Sequence, residues 1–332
     1  MTTPILICDD SALARKQILR SLPDDWDIEV SFAEQGEMGL ECIRQGKGDI
    51  VFLDLNMPVM DGYQVLETIQ RDDLPAIVIV ISGDIQPEAH KRVRALGAID
   101  FIEKPINSEK LLTILHRYGI YKPGAYNSHS ASIAEQKVNF LDALQEVSNI
   151  AMGRAGELLG RLLDVFILLP VPSVNTLESS ELHMTLTHIT KDKTVSAVGQ
   201  GFMGSGINGE AIIIFHDANF VDMAKLLKYD KEVSNDLEIE VMNDISNILI
   251  GAFLNGLSEQ FDTRFSQGQP TLLGQHKKAD NLIKNQQKTL QKVLTIEVNY
   301  GIKDHDIKCD LLLFFTEDSI PIIHNKIGYL IS

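Results

Sequence analysis

The sequence predicts an α/β protein in two parts: a five-stranded, doubly wound parallel sheet at the N-terminus, then a C-terminal α/β domain with a pseudo-twofold internal repeat. Three observations lead there. Five short apolar runs alternate with helical patterns through residue 118, a stretch of mixed Pro, Gly, Ser and Asn follows at 119–134, and in the 135–332 domain one motif returns after 98 residues.

The apolar runs are Ile5 to Cys8, Ile28 to Phe32, Ile50 to Leu53, Ala76 to Ile81 and Ala98 to Ile102, and helical patterns start near Ser11, Gly36, Gly62, Pro87 and Ser108. Units of this size form a parallel sheet with helices on both faces, and such sheets keep their ligand crevice at the carboxyl ends of the strands. Polar residues stand at those ends: Asp9 and Asp10 after the first run, Asp54 after the third, Ser82 after the fourth and Lys104 after the fifth. Crowded carboxylates repel one another and raise at least one pKa unless a cation sits among them, and hard oxygen ligands in an open site suit Mg²⁺. A lysine adds a point charge and a serine adds a donor. This set handles a phosphoryl group, with Asp54 as the nucleophile.

Together with Asp54-x-x-Met57-Pro58-x-Met60-Asp61-Gly62 and Lys104-Pro105, these residues resemble the CheY-like receiver domains of two-component response regulators, flavodoxin-like in fold, over residues 1–118. The resemblance implies that a CheA-like histidine kinase is the phosphodonor to Asp54, and that the receiver catalyses its own phosphorylation and dephosphorylation there. It also implies Mg²⁺ held by Asp10, Asp54 and the Asn56 carbonyl, with Asp9 helping through water, and phosphoryl binding by Lys104 and Ser82. Phe101 stands where the family has a switching aromatic residue, without the hydroxyl of a tyrosine.

The formal net charge of −16 argues against a nucleic-acid or anionic-membrane surface, which needs clustered Lys and Arg. Cys8, Cys42 and Cys309 have neither paired nor metal-type spacing and fit reduced thiols in a cytoplasm. The N-terminus reaches Asp9-Asp10 after one short apolar run, and the apolar patch from Leu158 to Leu169 is broken by Arg161 and Asp164. A soluble cytoplasmic protein without membrane insertion is expected.

The stretch from Gly119 to Glu135 lacks apolar periodicity and reads as a flexible linker. Beyond it, Glu146-Val-Ser-Asn149-Ile150 with Gly153 and Pro172 returns as Asp244-Ile-Ser-Asn247-Ile248 with Gly251 and Pro270. On a helix, Asp142, Glu146, Asn149 and Gly153 share one stripe and Phe140, Leu144, Val147 and Ala151 the opposite face; Glu240, Asp244, Asn247, Gly251 and Met242, Ile245, Leu249, Phe253 repeat this. Each helix is expected to bury its apolar side and present one acid and one amide to solvent. Thr194 to Phe215 reads as two strands with a hairpin turn near Asn208-Gly209, and Val293 to Tyr300 with Ile307 to Phe315 as another pair. Gly199-x-Gly201-x-x-Gly204 matches a nucleotide fingerprint only formally, because a strand follows it where a phosphate cradle needs a helix.

The arrangement Asp142-x3-Glu146-x2-Asn149-x22-Pro172 resembles the signature of the CheC, CheX and FliY phosphatases. It implies a CheC-like domain that hydrolyses the aspartyl phosphate of CheY-type receivers, in trans or on its own chain. Asn149 and Asn247 would orient water, while Glu146 and Asp244 pair with the receiver lysine. Asp244 departs from the expected Glu. The alternative is a phosphorylation-controlled adaptor, for example for a CheD-like deamidase. A DNA-binding output is disfavoured because acidic residues outnumber basic ones after the linker.

Overall fold

The computed structural model describes residues 2–123, 138–178, 194–217, 220–229, 234–278, 292–305 and 307–331. The chain divides into two compact units, Met1–Glu146 and Val147–Leu330. Most of the expected linker lies outside the described residues. Tyr121, at its start, is buried and stacks at a tilt on Trp26, 5.6 Å between ring centroids, so the packed chain of the first unit runs past Gly119.

In the first unit, β1 (Thr3–Cys8), β2 (Ile28–Ala33), β3 (Ile50–Leu53), β4 (Ile77–Ser82) and β5 (Asp100–Glu103) form one parallel sheet in the order β2-β1-β3-β4-β5. Helices α1 (Ala12–Ser21), α2 (Gly36–Arg44), α3 (Gly62–Arg71), α4 (Pro87–Ala95) and α5 (Ser108–Arg117) alternate with the strands. Strand alternation fills two cores. Leu6, Cys8, Val51, Leu53, Val78 and Val80 face one cluster, while Ile5, Ile7, Ile50, Phe52, Ile79 and Ile81 face the other. β5 starts later than its apolar run because Gly97, at φ +96°, turns the chain and pairing begins only at Asp100 opposite Ile79.

Caps fix where the helices start. The Ser11 and Asn107 side chains accept from Ala14 N and Lys110 N, and Asp61 and Gln64 form a reciprocal capping box. Gly62 is required by packing: a Cβ there would lie 2.2 Å from the Asp54 carbonyl oxygen.

The second unit contains most of α6 (Phe140–Leu163), then β6 (Ile167–Leu168), β7 (Ser173–Glu178), β8 (Thr194–Gly204), β9 (Ile207–His216) and α7 (Phe220–Leu226). The same order returns as α8 (Asn235–Phe261), β10 (Ser266–Gln267), β11 (Thr271–Lys278), β12 (Lys292–Ile302), β13 (Ile307–Phe315) and α9 (Ser319–Ile331). The strands join one antiparallel sheet with the path β10-β8-β9-β13-β12-β6. β11 of the later half pairs β8, and β7 of the earlier half pairs β12, so each half completes the other's edge. At the centre β9 and β13 run antiparallel with Ile212 opposite Leu312. Each β6–β9 segment thus has a counterpart in β10–β13, as the motif spacing predicts.

The hairpin turn differs from its predicted place. It sits at Ser205-Gly206, both at positive φ (50° and 84°), whereas Asn208 and Gly209 lie within β9. Gly209 is there for close packing, since a Cβ would fall 2.4 Å from both the Phe202 ring and the Phe314 carbonyl oxygen. Gly199, Gly201 and Gly204 all lie in β8. Among the described residues, no helix is long and apolar enough to cross a membrane.

Candidate functional site

The strand order reverses between β1 and β3, which opens a crevice at their carboxyl ends. Asp9, Asp54, Ser82 and Lys104 meet there, all buried, with Asp10 half-buried. Local backbone holds the carboxylates: Asp9 Oδ1 accepts from Ser11 N at 2.9 Å, and Asp54 Oδ2 accepts from Asn56 N at 2.9 Å. Their other oxygens face the Lys104 ammonium, 2.8 Å from Asp9 Oδ2 and 3.2 Å from Asp54 Oδ1. Glu146, the last residue of this unit, places its Oε1 3.2 Å from the same nitrogen.

Four charges in so small a volume perturb one another. Burial raises the Asp9 carboxyl well above the usual range, with the Asp54 and Glu146 charges adding to it and Lys104 opposing. Burial, then the Asp54 charge, pushes Asp10 up to about 7. Burial also works against the Lys104 ammonium, but the Asp54, Asp9 and Glu146 carboxylates outweigh it and hold its pKa well above that of a free lysine. One oxygen each from Asp9, Asp10 and Asp54 lies within 4.8 Å of the others. Three carboxylates with surplus negative charge fit a hard divalent cation.

Ser82 Oγ accepts from Asp84 N at 3.2 Å, and the buried Asn56 side-chain nitrogen has no hydrogen-bond partner among the described residues. Phe101 is buried beside the His90 ring, 3.8 Å between centroids. Two participants escape a reading of the sequence. Arg15 donates to the carbonyl oxygens of Asp9 at 2.7 Å and Asp10 at 3.2 Å and so fixes the acidic loop. Asp84 is buried, accepts from Gln86 N and Nε2, and is pushed up to about 6 by burial. Asp84 stands two residues after Ser82, which is the only signal the sequence offers for it.

The repeated motif falls on α6 and α8. Leu144, Val147 and Ala151 are buried, as are Met242, Ile245, Leu249 and Phe253, as the apolar stripes predict. The polar stripes differ from expectation in the first copy, where Glu146 and Asn149 are only 2% and 4% exposed rather than solvated. The Lys104 pairing explains Glu146; Asn149 Oδ1 is buried and has no hydrogen-bond partner among the described residues. Asp142 is used at the helix start, exchanging hydrogen bonds with Asn139. In the second copy Glu240, Asp244 and Asn247 are exposed, and Tyr229, which the sequence does not single out, donates to Asp244 Oδ2 at 2.8 Å.

The first unit matches a family model: residues 5–116 fit the response regulator receiver domain. This part of the chain is a receiver domain. The chain is 35% identical over 153 residues to protein-glutamate methylesterase/protein-glutamine glutaminase 3 of Geobacter sulfurreducens, covering 45% of this chain and 40% of that protein. It is 44% identical over 116 residues to protein-glutamate methylesterase/protein-glutamine glutaminase 2 of Koribacter versatilis, covering 33% and 31%. It therefore spans two fifths or less of the length of these relatives. Among solved structures, the response regulator domain of Thermotoga maritima CheB aligns at 26% identity and TM-score 0.33, covering 37% of this chain and all of that one (100%). Thermotoga maritima FliY aligns at 16% identity and TM-score 0.43, covering 60% of this chain and 100% of that one.

Proposed function

We propose that this chain is a chemotaxis-type signalling protein in which a receiver phosphorylated on Asp54 is joined to a phosphatase for the aspartyl phosphate of CheY-type receivers. The observation that carries the second half is the repeat: an acid, two residues and an asparagine recur on α6 and α8, the matching helices of the two halves. The proximity of Glu146 Oε1 to Lys104 Nζ supports the role given to the acid, because a carboxylate of the motif meets a receiver lysine.

In the receiver, Asp54 attacks the phosphorus of a phosphohistidine donor of the CheA-like kinase class and releases the imidazole. Lys104 neutralises a phosphoryl oxygen and Ser82 Oγ donates to another. Asp9, Asp10, Asp54 and the Asn56 carbonyl are the residues that would hold Mg²⁺. The ion, when bound, spreads the negative charge of the phosphoryl oxygens. In hydrolysis water attacks phosphorus, the bond to the Asp54 oxygen breaks, the carboxylate leaves with its electron pair, and inorganic phosphate is released with the proton lost by the water. An amide suits that step, since Asn149 or Asn247 offers a donor and an acceptor at fixed geometry and needs no pKa tuning. Glu146 and Asp244 fix the pose by pairing with the receiver lysine, and Asp244 reaches less far by one methylene, about 1.5 Å.

The test follows loss of phosphate from a phosphorylated receiver with wild-type chain, Asn149→Ala, Asn247→Ala and the double variant. The double variant is expected to slow release to the rate of the receiver alone. No slowing would refute the reading. Phosphate-dependent stoichiometric binding of a partner such as a CheD-like deamidase, surviving loss of both asparagines, would favour an adaptor.

A further inference from the structure

Tyr229 distinguishes the second copy of the motif chemically. Just after α7 the chain closes a turn, with Lys228 N donating to Lys225 O and Tyr229 N to Ala224 O, and Lys228 at φ +61°. The turn sets the phenol against α8. Its hydroxyl donates to Asp244 Oδ2 at 2.8 Å, and Glu240, one turn earlier on the same stripe, also acts on it. The hydrogen bond to Asp244 is the main reason the phenol is pushed up to about 12, so the hydroxyl stays a donor at every working pH. In the first copy the corresponding acid, Glu146, has an ammonium as its neighbour, Lys104 Nζ at 3.2 Å. The two acids therefore differ in partner as well as in length: one faces a cation, the other a neutral donor from the turn after α7.

We propose that Tyr229 is a built-in occupant of the second copy, holding the oxygen of Asp244 that a receiver's lysine would take and so setting how tightly that copy binds a phosphorylated receiver. This rests on the phosphatase reading. A lysine ammonium is charged and can displace the phenol, but the displaced hydrogen bond weakens the docked state by about 2- to 10-fold. Asp244 is exposed, so the phenol can swing away into water and leave the helix intact. Tyr229 is thus a specificity-determining residue; Asn247 remains the group that would meet the reacting water.

The test uses the full chain carrying Glu146→Ala and Asn149→Ala, which silences the first copy, with and without Tyr229→Phe. The probe is a separate single-domain CheY-type receiver, either phosphorylated with a small-molecule donor or loaded with beryllofluoride as the phosphoryl mimic. Tyr229→Phe keeps the ring and removes the hydroxyl. It should lower the KM for phospho-receiver by about 2- to 10-fold with kcat unchanged, and tighten the beryllofluoride complex by the same factor in calorimetry. Adding Asp244→Ala should erase the difference. Equal or weaker binding by Tyr229→Phe, or no binding by either variant, overturns the proposal. If no variant releases phosphate yet Tyr229→Phe still tightens the beryllofluoride complex, hydrolysis fails as the function and the Tyr229 assignment stands.

Discussion

Lys104→Met is the most informative perturbation of the receiver. The ammonium is buried among Asp9 at 2.8 Å, Asp54 at 3.2 Å and Glu146 at 3.2 Å, and methionine keeps the length of the side chain without its charge. At an effective dielectric of about 20, a unit pair 3.2 Å apart attracts by about 5 kcal/mol, so the lost attraction is large before relaxation. Carboxylates left unpaired take up protons or water, which limits the net loss to the ~3–5 kcal/mol typical of removing one partner from a buried ionic group. The chain offers a clean assay. Its single tryptophan, Trp26, is buried in the core of the first unit, so its fluorescence during urea unfolding reports that unit alone. Lys104→Met should lower the urea midpoint sharply, and millimolar Mg²⁺ should restore more of the loss than it adds to wild type, because a divalent cation substitutes for the missing charge. A second change, Asp54→Asn, should recover part of it. An unchanged midpoint, or equal Mg²⁺ stabilisation of wild type and variant, would refute the electrostatic account.

Other perturbations follow from single contacts. Gly62→Ala would drive a Cβ to within 2.2 Å of the Asp54 carbonyl oxygen; a loss of about 1–3 kcal/mol by Trp26 fluorescence is expected, with slower phosphorylation of Asp54 from a small-molecule donor. His276 of β11 bridges Asp217 through Nδ1 at 3.1 Å and Glu238 of α8 through Nε2 at 2.9 Å, and only the doubly protonated ring donates to both. The hydrogen bond to Asp217 raises its pKa above the ordinary histidine value, so its contribution is full below about pH 6 and is lost as pH rises through the elevated value. With the side chain 49% exposed, about 1 kcal/mol for the two pairs is the expected scale, so His276→Gln should lower Tm by roughly 2–4 °C at pH 6 and by nothing at pH 9. A thermal melt showing the same difference at both pH values would count against the bridge.

The receiver was legible because its chemistry sits at strand ends. A buried parallel strand must stop where polar residues begin, so Asp54, Ser82 and Lys104 announce both the end of β3, β4 and β5 and the edge on which they meet. Arg15 and Asp84 were not legible: Arg15 reaches the Asp9 and Asp10 carbonyls only once the loop before α1 has folded, and Asp84 owes its raised pKa to a burial that the sequence does not show. In the second unit the 98-residue spacing foretold the paired halves. The exchange of β7 and β11 between them could not be read, since edge pairing between halves leaves no local pattern. The turn lies at Ser205-Gly206 although Asn208-Gly209 is the stronger turn dipeptide, because packing against Phe202 and Phe314 selects glycine at 209 for a different reason. The burial of Glu146 and Asn149 was unreadable, since periodicity sorts apolar from polar faces and says nothing of which polar face is covered.

Folding energetics alone does not account for what the two motif helices keep. On α8, Asn247 is exposed in mid-helix, where it is worse than alanine by up to about 0.7 kcal/mol because its side chain competes for the backbone. On α6, the buried amide oxygen of Asn149 has no partner among the described residues, and a buried oxygen left so costs about 1–3 kcal/mol. A helix shaped only to cover its sheet would hold its apolar stripe, as both do, and drop these residues. Their presence in both halves is therefore a cost borne for something other than stability, and the cost has a measurable sign. Asn247→Ala should raise the thermal stability of the chain slightly while removing whatever the second copy does. A variant that loses stability and function together would mean that the stripe is part of the packing after all.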